Sequence, residues 1–291
     1  SATVPSAPAT QAPATPSEAA VSATKAGDAA TAVTVTTDVL RLTLDGGAVT
    51  EAALRRFPQT RDDGSPPVML FDADPARYYA AQSGWVSRSN PAPTHERGFV
   101  PATAQTEYTL ATGQPRLVVP FVWRGPDGVS IRRTYTFTRG SYAIEVQDTV
   151  VNTGAQPWQG HVYRQLIRVP PRVKSGMTNP ESFSFSGATW FSAQNGYERR
   201  AFADFVDDGP LSQESRGGWI ALLQHHFFSA WIPERDATTT IALDTDTSAG
   251  APRQLIREVG PGVNVAPGRE VSTSAKPPVP MRRGVRPPKA S

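Results

Sequence analysis

The chain has 291 residues, 38% of them hydrophobic, and a formal net charge of +3, enough length for one large all-β domain or two ordinary ones. It contains no cysteine, which excludes a disulfide framework, a thiolate nucleophile and a Cys-bound metal. The stretch from Lys276 to Ser291 alone carries +5, leaving the remainder at −2, so no nucleic-acid partner is expected of the folded part.

Residues 1–32 are mostly Ala, Thr, Ser and Pro, with Pro5, Pro8, Pro13 and Pro16. Such a segment has too little apolar surface to offset the entropy of ordering and is expected to be a disordered linker. No basic start followed by an apolar stretch marks a signal peptide, and no window reaches the roughly 20 apolar residues of a membrane span. The linker therefore suits a tether that follows a membrane anchor lying outside these residues.

From Thr34 to Val271 the hydrophobic period is two. Leu40, Leu42 and Leu44 alternate with Arg41, Thr43 and Asp45, which predicts a half-buried strand ended by Gly46-Gly47. Val49–Leu54 resumes as a second short strand. Leu117–Trp123 leads into the turn Gly125-Pro126-Asp127-Gly128, after which Val129, Ile131, Tyr135 and Phe137 alternate with polar residues. This is the strongest hairpin in the chain.

A strand over Tyr142–Val151 follows, then Asn152-Thr153-Gly154 turns the chain into a strand over Trp158–Val169 that Pro170-Pro171 stops. Phe183–Phe185 and Thr189–Phe191 are further strands, separated by Ser186-Gly187-Ala188. Trp219–Ile232 carries a Trp near each end and Gln224-His225-His226 in the middle, as two core strands meeting at a polar bend would. Thr239–Leu243 and Gln254–Val259 are weaker strands, and neither a helix of four turns nor an internal repeat is found. The expectation is an all-β fold, one large antiparallel sandwich over residues 33–275. Residues 276–291, with five prolines and five basic residues, are expected to be a disordered tail, because Pro at that density cannot donate to a sheet ladder.

The run Gly217-Gly218-Trp219-Ile220-Ala221-Leu222-Leu223-Gln224, followed by Ala230-Trp231-Ile232-Pro233, resembles the large periplasmic domain of the YidC membrane protein insertases of Gram-negative bacteria. Thr37-Asp38-Val39-Leu40 with Gly46-Gly47 is similar to the start of that domain, and Arg55-Arg56-Phe57-Pro58 stands where the family carries Tyr-Pro. Tyr79-Ala80-Ala81-Gln82-Ser83-Gly84 resembles its Ala-Gln-Ser-Gly segment. Arg139-Gly140-Ser141-Tyr142 with Asn152-Thr153-Gly154 resembles one of its strand-to-strand units. These pieces run from 34 to 275 in the family order.

The resemblance implies a β-supersandwich similar to galactose mutarotase-like folds, with little helix. It implies a non-catalytic scaffold or interaction module on the periplasmic side of the inner membrane. The membrane-anchored parent would help insert and fold nascent inner-membrane proteins, alone or with the Sec translocon. After Val271-Ser272-Thr273 the family continues with another apolar strand, a short helix and a membrane span. Here Ala275-Lys276-Pro277-Pro278-Val279-Pro280 departs from it, as an abnormal end from a shifted frame or vector sequence would, and such an end would leave a sheet edge open.

The alternative reading is a carbohydrate-binding or mutarotase-like protein, whose catalysis needs a His acid facing a carboxylate base. His161 is the best acid candidate. His225 and His226 point to opposite faces of any strand, and His95 lies in a Pro-rich loop where solvation is expected. Asp148 falls on the apolar face of its strand, where a structural ion pair or an edge position is the leading reading, with Arg133 as one possible partner. Five of the six tryptophans lie in or beside predicted strands, so core packing is their first reading. A groove touched by Trp158, Trp190, His161 and Asp148 would take a glycan or an elongated amphiphilic ligand. No cofactor, metal or catalytic residue is expected.

Overall fold

The computed structural model describes residues 32–171, 185–223 and 227–276. Nineteen strands are described. The first eleven are β1 (Ala32–Thr36), β2 (Leu40–Asp45), β3 (Ala48–Pro58), β4 (Pro67–Phe71), β5 (Tyr79–Val86), β6 (Val100–Pro101), β7 (Glu107–Thr109), β8 (Arg116–Arg124), β9 (Val129–Thr138), β10 (Ile144–Asn152) and β11 (Trp158–Arg168). They are followed by β12 (Gly187–Ser192), β13 (Gly196–Ala201), β14 (Leu211–Arg216), β15 (Trp219–Leu223), β16 (Phe228–Pro233), β17 (Thr238–Asp246), β18 (Arg253–Val265) and β19 (Arg269–Lys276). One 3-10 turn, Phe202–Asp204, is the helical element among the described residues.

Two sheets face each other. The first runs β14-β17-β18-β11-β5-β3-β2-β1-β7, with β4 beside β3, and the second runs β13-β12-β15-β16-β19-β10-β9-β8-β6. Pairing is antiparallel, save β1 with β7. Alternation sends one set of side chains from each sheet into the shared interior, where Trp85, Trp158, Trp231, Tyr135, Phe121 and Phe137 are 2% exposed or less. Each such side chain contributes on the order of 1.5–3 kcal/mol by leaving water.

Polar bridges cross between the layers and fix how they face, four of them made by tryptophan and arginine side chains. Trp85 Nε1 donates to Asp148 Oδ2 at 2.8 Å, and Arg133 donates to Ser83 O at 3.3 Å. Trp231 Nε1 donates to Gln165 O at 3.1 Å, and Arg164 donates to Ser274 O at 3.4 Å. A buried donor without its acceptor costs about 1–3 kcal/mol, so sliding one sheet over the other is penalised at four points.

The predicted hairpin forms as β8 and β9, with Asp127 and Gly128 at positive φ in its turn. The two strands expected around the Gln-His-His bend are β15 and β16, paired with Ile220 opposite Trp231. The bend itself lies outside the described residues, as do Phe183 and Ser184, the linker before Ala32 and the tail after Lys276. β10 begins at Ile144 rather than Tyr142, because Gly140, at φ 74°, still turns the chain while its N–H donates to Asp38. Gly187 and Ala188, read as a separator, belong to β12; a Cβ at Gly187 would lie 2.2 Å from the carbonyl of Arg200 on β13.

β5 escaped the alternation because all eight of its residues are buried, so no polar face marks it. β19 escaped for the opposite reason, being rich in Ser, Thr and charge. It fills a slot inside the second sheet between β16 and β10. The open edge expected at the C-terminal side is therefore not seen there; the second sheet ends at β13 and β6.

Candidate functional site

The four candidate groove residues do not share one surface. Trp158 and Asp148 are 2% and 3% exposed and meet in the interior through Trp85. The Trp85 ring lies 5.4 Å from that of Trp158, and its Nε1 is bonded to Asp148. Asp148 pairs with Arg133 through two 2.7 Å contacts, so of the two structural readings it is the ion pair, not the edge position, that forms. Trp190 is 4% exposed, and its Nε1 donates to Glu198 at 2.9 Å. These three side chains therefore lie in the interior and present little surface to a ligand. His161 alone faces outward, half-buried on β11 with Nδ1 3.0 Å from the carbonyl of Gly260.

The outer face of the first sheet holds an array that the sequence reading missed. Leu166 and Val162 of β11 point into the core, so His161, Tyr163, Gln165 and Ile167 point out. There Gln165 Nε2 donates to Gln82 Oε1 at 2.7 Å, and Gln82 Nε2 donates to Tyr78 at 3.2 Å. Arg257 Nε completes the chain by donating to Gln165 Oε1 at 3.0 Å. The guanidinium of Arg253 sits 3.9 Å above the Tyr78 ring. Gln82 and Gln165 are 5% and 0% exposed, on the face of a strand that would ordinarily meet water. Two glutamines at matching positions of paired strands were the available signal, but only the β5–β11 register brings them together.

His95 overturns its expectation. It is 6% exposed, not solvated, because the loop carrying it folds over Gly84 and Tyr163. Its Nδ1 is 2.7 Å from the Tyr163 hydroxyl, and its backbone N–H donates to the same oxygen at 3.0 Å. Burial, with the charge of Arg257 added, lowers the His95 pKa to about 4, and burial pushes the Tyr163 hydroxyl up. Both groups are neutral at pH 7, which suits a latch and not a proton donor to substrate.

The sign of the pH effect follows. His95 takes up its proton near 6.5 when unfolded and near 4 when folded. Its contribution is thus intact above pH 6.5 and is lost as pH falls toward 4, by about 1.4 kcal/mol per unit and about 3 kcal/mol at most. Thermal melts of the wild type and His95→Gln at pH 7.5 and 4.5 check this. The variant should lose less stability on acidification, and equal losses would clear His95 of the effect.

Among the described residues, no group of three or more His, Asp or Glu side chains could hold a metal ion. The outer array can hydrogen-bond hydroxyl or carboxylate groups, and Gln82, Gln165 and Arg257 are bonded to one another within it.

Residues 32–276 match the family described as the YidC periplasmic domain. The chain is 53% identical over 280 residues to a membrane protein insertase YidC of Xanthomonas euvesicatoria pv. vesicatoria, covering 94% of this chain and 48% of that protein. It is 50% identical over 278 residues to the membrane protein insertase YidC of Stenotrophomonas maltophilia, again covering 94% and 48%. The chain thus spans about half the length of the curated relatives it matches. A galactose mutarotase related enzyme from Lactobacillus acidophilus has the same fold, with a TM-score of 0.52 at 10% identity over 86% of this chain and 97% of that one. The first strand begins at Ala32 and the last ends at Lys276, so the sandwich and the match are coextensive, and the chain belongs to the YidC periplasmic domain family.

Proposed function

We propose that this chain serves as the non-catalytic periplasmic platform of a membrane protein insertase. The rest of that protein, anchored in the inner membrane, would insert and fold inner-membrane proteins, alone or with the Sec translocon. The coincidence of the family match with the boundaries of the sandwich carries the reading. The outer face supports it: of the two histidines among the described residues, His95 is held neutral against Tyr163, and His161 is held by a backbone carbonyl.

The test is photocrosslinking from exposed positions such as Val118 and Val206, which are 50% and 73% exposed, in a full-length insertase carrying this domain. Crosslinks to a nascent inner-membrane protein or to the translocon are expected. Their absence from every exposed position, while insertion still requires the domain, would overturn the platform role.

A carbohydrate-binding or mutarotase-like activity is the competing reading, supported by the shared fold, which is by itself a weak warrant for function. Polarimetry on fresh glucose or galactose should show no acceleration by the protein. Acceleration that disappears in His161→Ala would replace the platform reading with an enzymatic one.

A further inference from the structure

Neighbouring residues of β3 share one cleft. Arg55, Arg56 and Pro58 form its wall together with Ser65 and Pro67, around a volume of about 330 Å³. A regular strand cannot do this, because it sends adjacent side chains to opposite faces. The ladder with β4 explains the exception. Leu54 is registered with Val68, and Pro58 with Pro67, so residues 55–57 have no counterpart on β4. A bulge of this kind re-aims the side chains it carries. Phe57 turns the other way and anchors it, with its ring 5.7 Å from that of Tyr142 and 5.5 Å from that of Phe227.

Both guanidiniums are steered to one corner. Arg55 donates from Nη1 to the carbonyl of Thr37, and Arg56 donates from Nη2 to Asp38 Oδ2 at 2.8 Å. The Asp38 carboxylate is shared, since the Gly140 N–H donates to its two oxygens at 3.0 and 3.1 Å. A guanidinium carries five N–H donors in a fixed fork, so each arginine keeps donors beyond the bond it makes here. The Thr60 N–H donates to Ser65 Oγ at 2.9 Å, which leaves the proton of that hydroxyl for a ligand. Pro58 and Pro67 bring no N–H and complete the wall with apolar rings.

We infer that this cleft binds a phosphate group, held by Arg55 and Arg56 with Ser65 as a further donor. Two cationic forks suit a tetrahedral anion with oxygens on several sides, whereas a single fork satisfies a planar carboxylate. The volume lies at the small end of the about 300–1,000 Å³ of ligand sites, which fits one phosphate with a short stem. Two sources supply that chemistry, free phosphate and the headgroup of a phospholipid. The Arg56 side chain is 59% exposed, so water competes for it, and binding of the free anion falls in the millimolar range and weakens with salt.

The first arm of the test titrates the full chain with inorganic phosphate at constant ionic strength. Nitrogen–proton correlation spectra follow the backbone amides of Thr60 and Ser65. Their signals should shift along a saturable curve, and the affinity should fall at least tenfold in Arg55→Gln/Arg56→Gln. Both side chains are exposed, so the fold is kept, and each single variant repeats the test with a smaller loss. Arg61→Gln, in the same hairpin but outside the cleft wall, should bind as the wild type does. No saturation in the wild type, or equal affinity in the double variant, would overturn the site. An equal loss in Arg61→Gln would reduce it to diffuse charge and overturn it as well. The second arm measures flotation with vesicles of phosphatidylcholine, alone or with phosphatidylglycerol at three parts in ten. A severalfold gain with phosphatidylglycerol that the double variant loses assigns the headgroup as the source. Equal flotation of wild type and double variant, with the phosphate response intact, overturns the headgroup and assigns free phosphate.

Discussion

Asp148→Ala should cost the protein about 3–5 kcal/mol of folding stability, because it leaves Arg133 charged in the interior without its partner. The two side chains are 1% and 3% exposed. Their contact is bidentate, Nε to Oδ1 and Nη2 to Oδ2, each at 2.7 Å. Trp85 donates to the same carboxylate, Arg133 also reaches Ser83 O, and its guanidinium lies 4.1 Å from the centroid of the Phe99 ring. Burial opposes the charge on Arg133, but the attraction of Asp148 more than offsets it, and the pKa is raised. Removing the carboxylate takes that attraction away, but an arginine side chain is not deprotonated in a protein interior, so the guanidinium stays charged. Replacing both partners, as Arg133→Met with Asp148→Leu, removes the orphan and should restore much of the loss. Urea titrations of the single and double variants measure the difference. A single variant within about 1 kcal/mol of wild type would mean that water reaches Arg133, which burial of this depth argues against.

Gly218→Ala should be comparably damaging, at about 3–5 kcal/mol, in the upper tail of single-substitution effects. Gly218 has φ 109°, a backbone conformation that side chains rarely adopt. A Cβ there would lie 1.8 Å from the carbonyl oxygen of Phe191 and 2.8 Å from its carbon. Both atoms belong to the backbone of β12, which pairs with β15 from Gly187–Leu223 to Phe191–Trp219. Neither strand can retreat without breaking that ladder. Gly113 supplies the control. Its φ is 83°, but nothing lies within 4 Å of an added Cβ, so Gly113→Ala should cost only the left-handed backbone penalty of about 1–2 kcal/mol. Thermal melts followed by circular dichroism should separate the two variants widely. Similar midpoints would show that the clash at Gly218 is relieved by local movement.

The Gly217-Gly218 pair was readable as a turn from its residues alone, and so was the interior position of Asp148, which falls in step with Ile144, Val146 and Val150. Both are local properties: alternation at period two assigns a side chain to a face before any partner is known. The same logic located the β8–β9 hairpin, the β15–β16 pair and the sandwich class, because neighbours in sequence are neighbours in the sheet. It failed at β5, whose two faces are both buried, and at β19, whose polar residues conceal a central strand. It failed again at His95, whose burial depends on Tyr163, 68 residues further along.

What the amino-acid order determined by itself was therefore the set of amphipathic strands, the turns between them and, through the Gly-Gly-Trp run and its companions, the family. The tertiary structure alone decided which strands lie side by side and how the two layers face each other. It joined Gln82 to Gln165 across β5 and β11. Those outcomes rest on pairings between distant segments. A backbone hydrogen bond carries no label of its partner, and only the simultaneous burial of both layers selects the register.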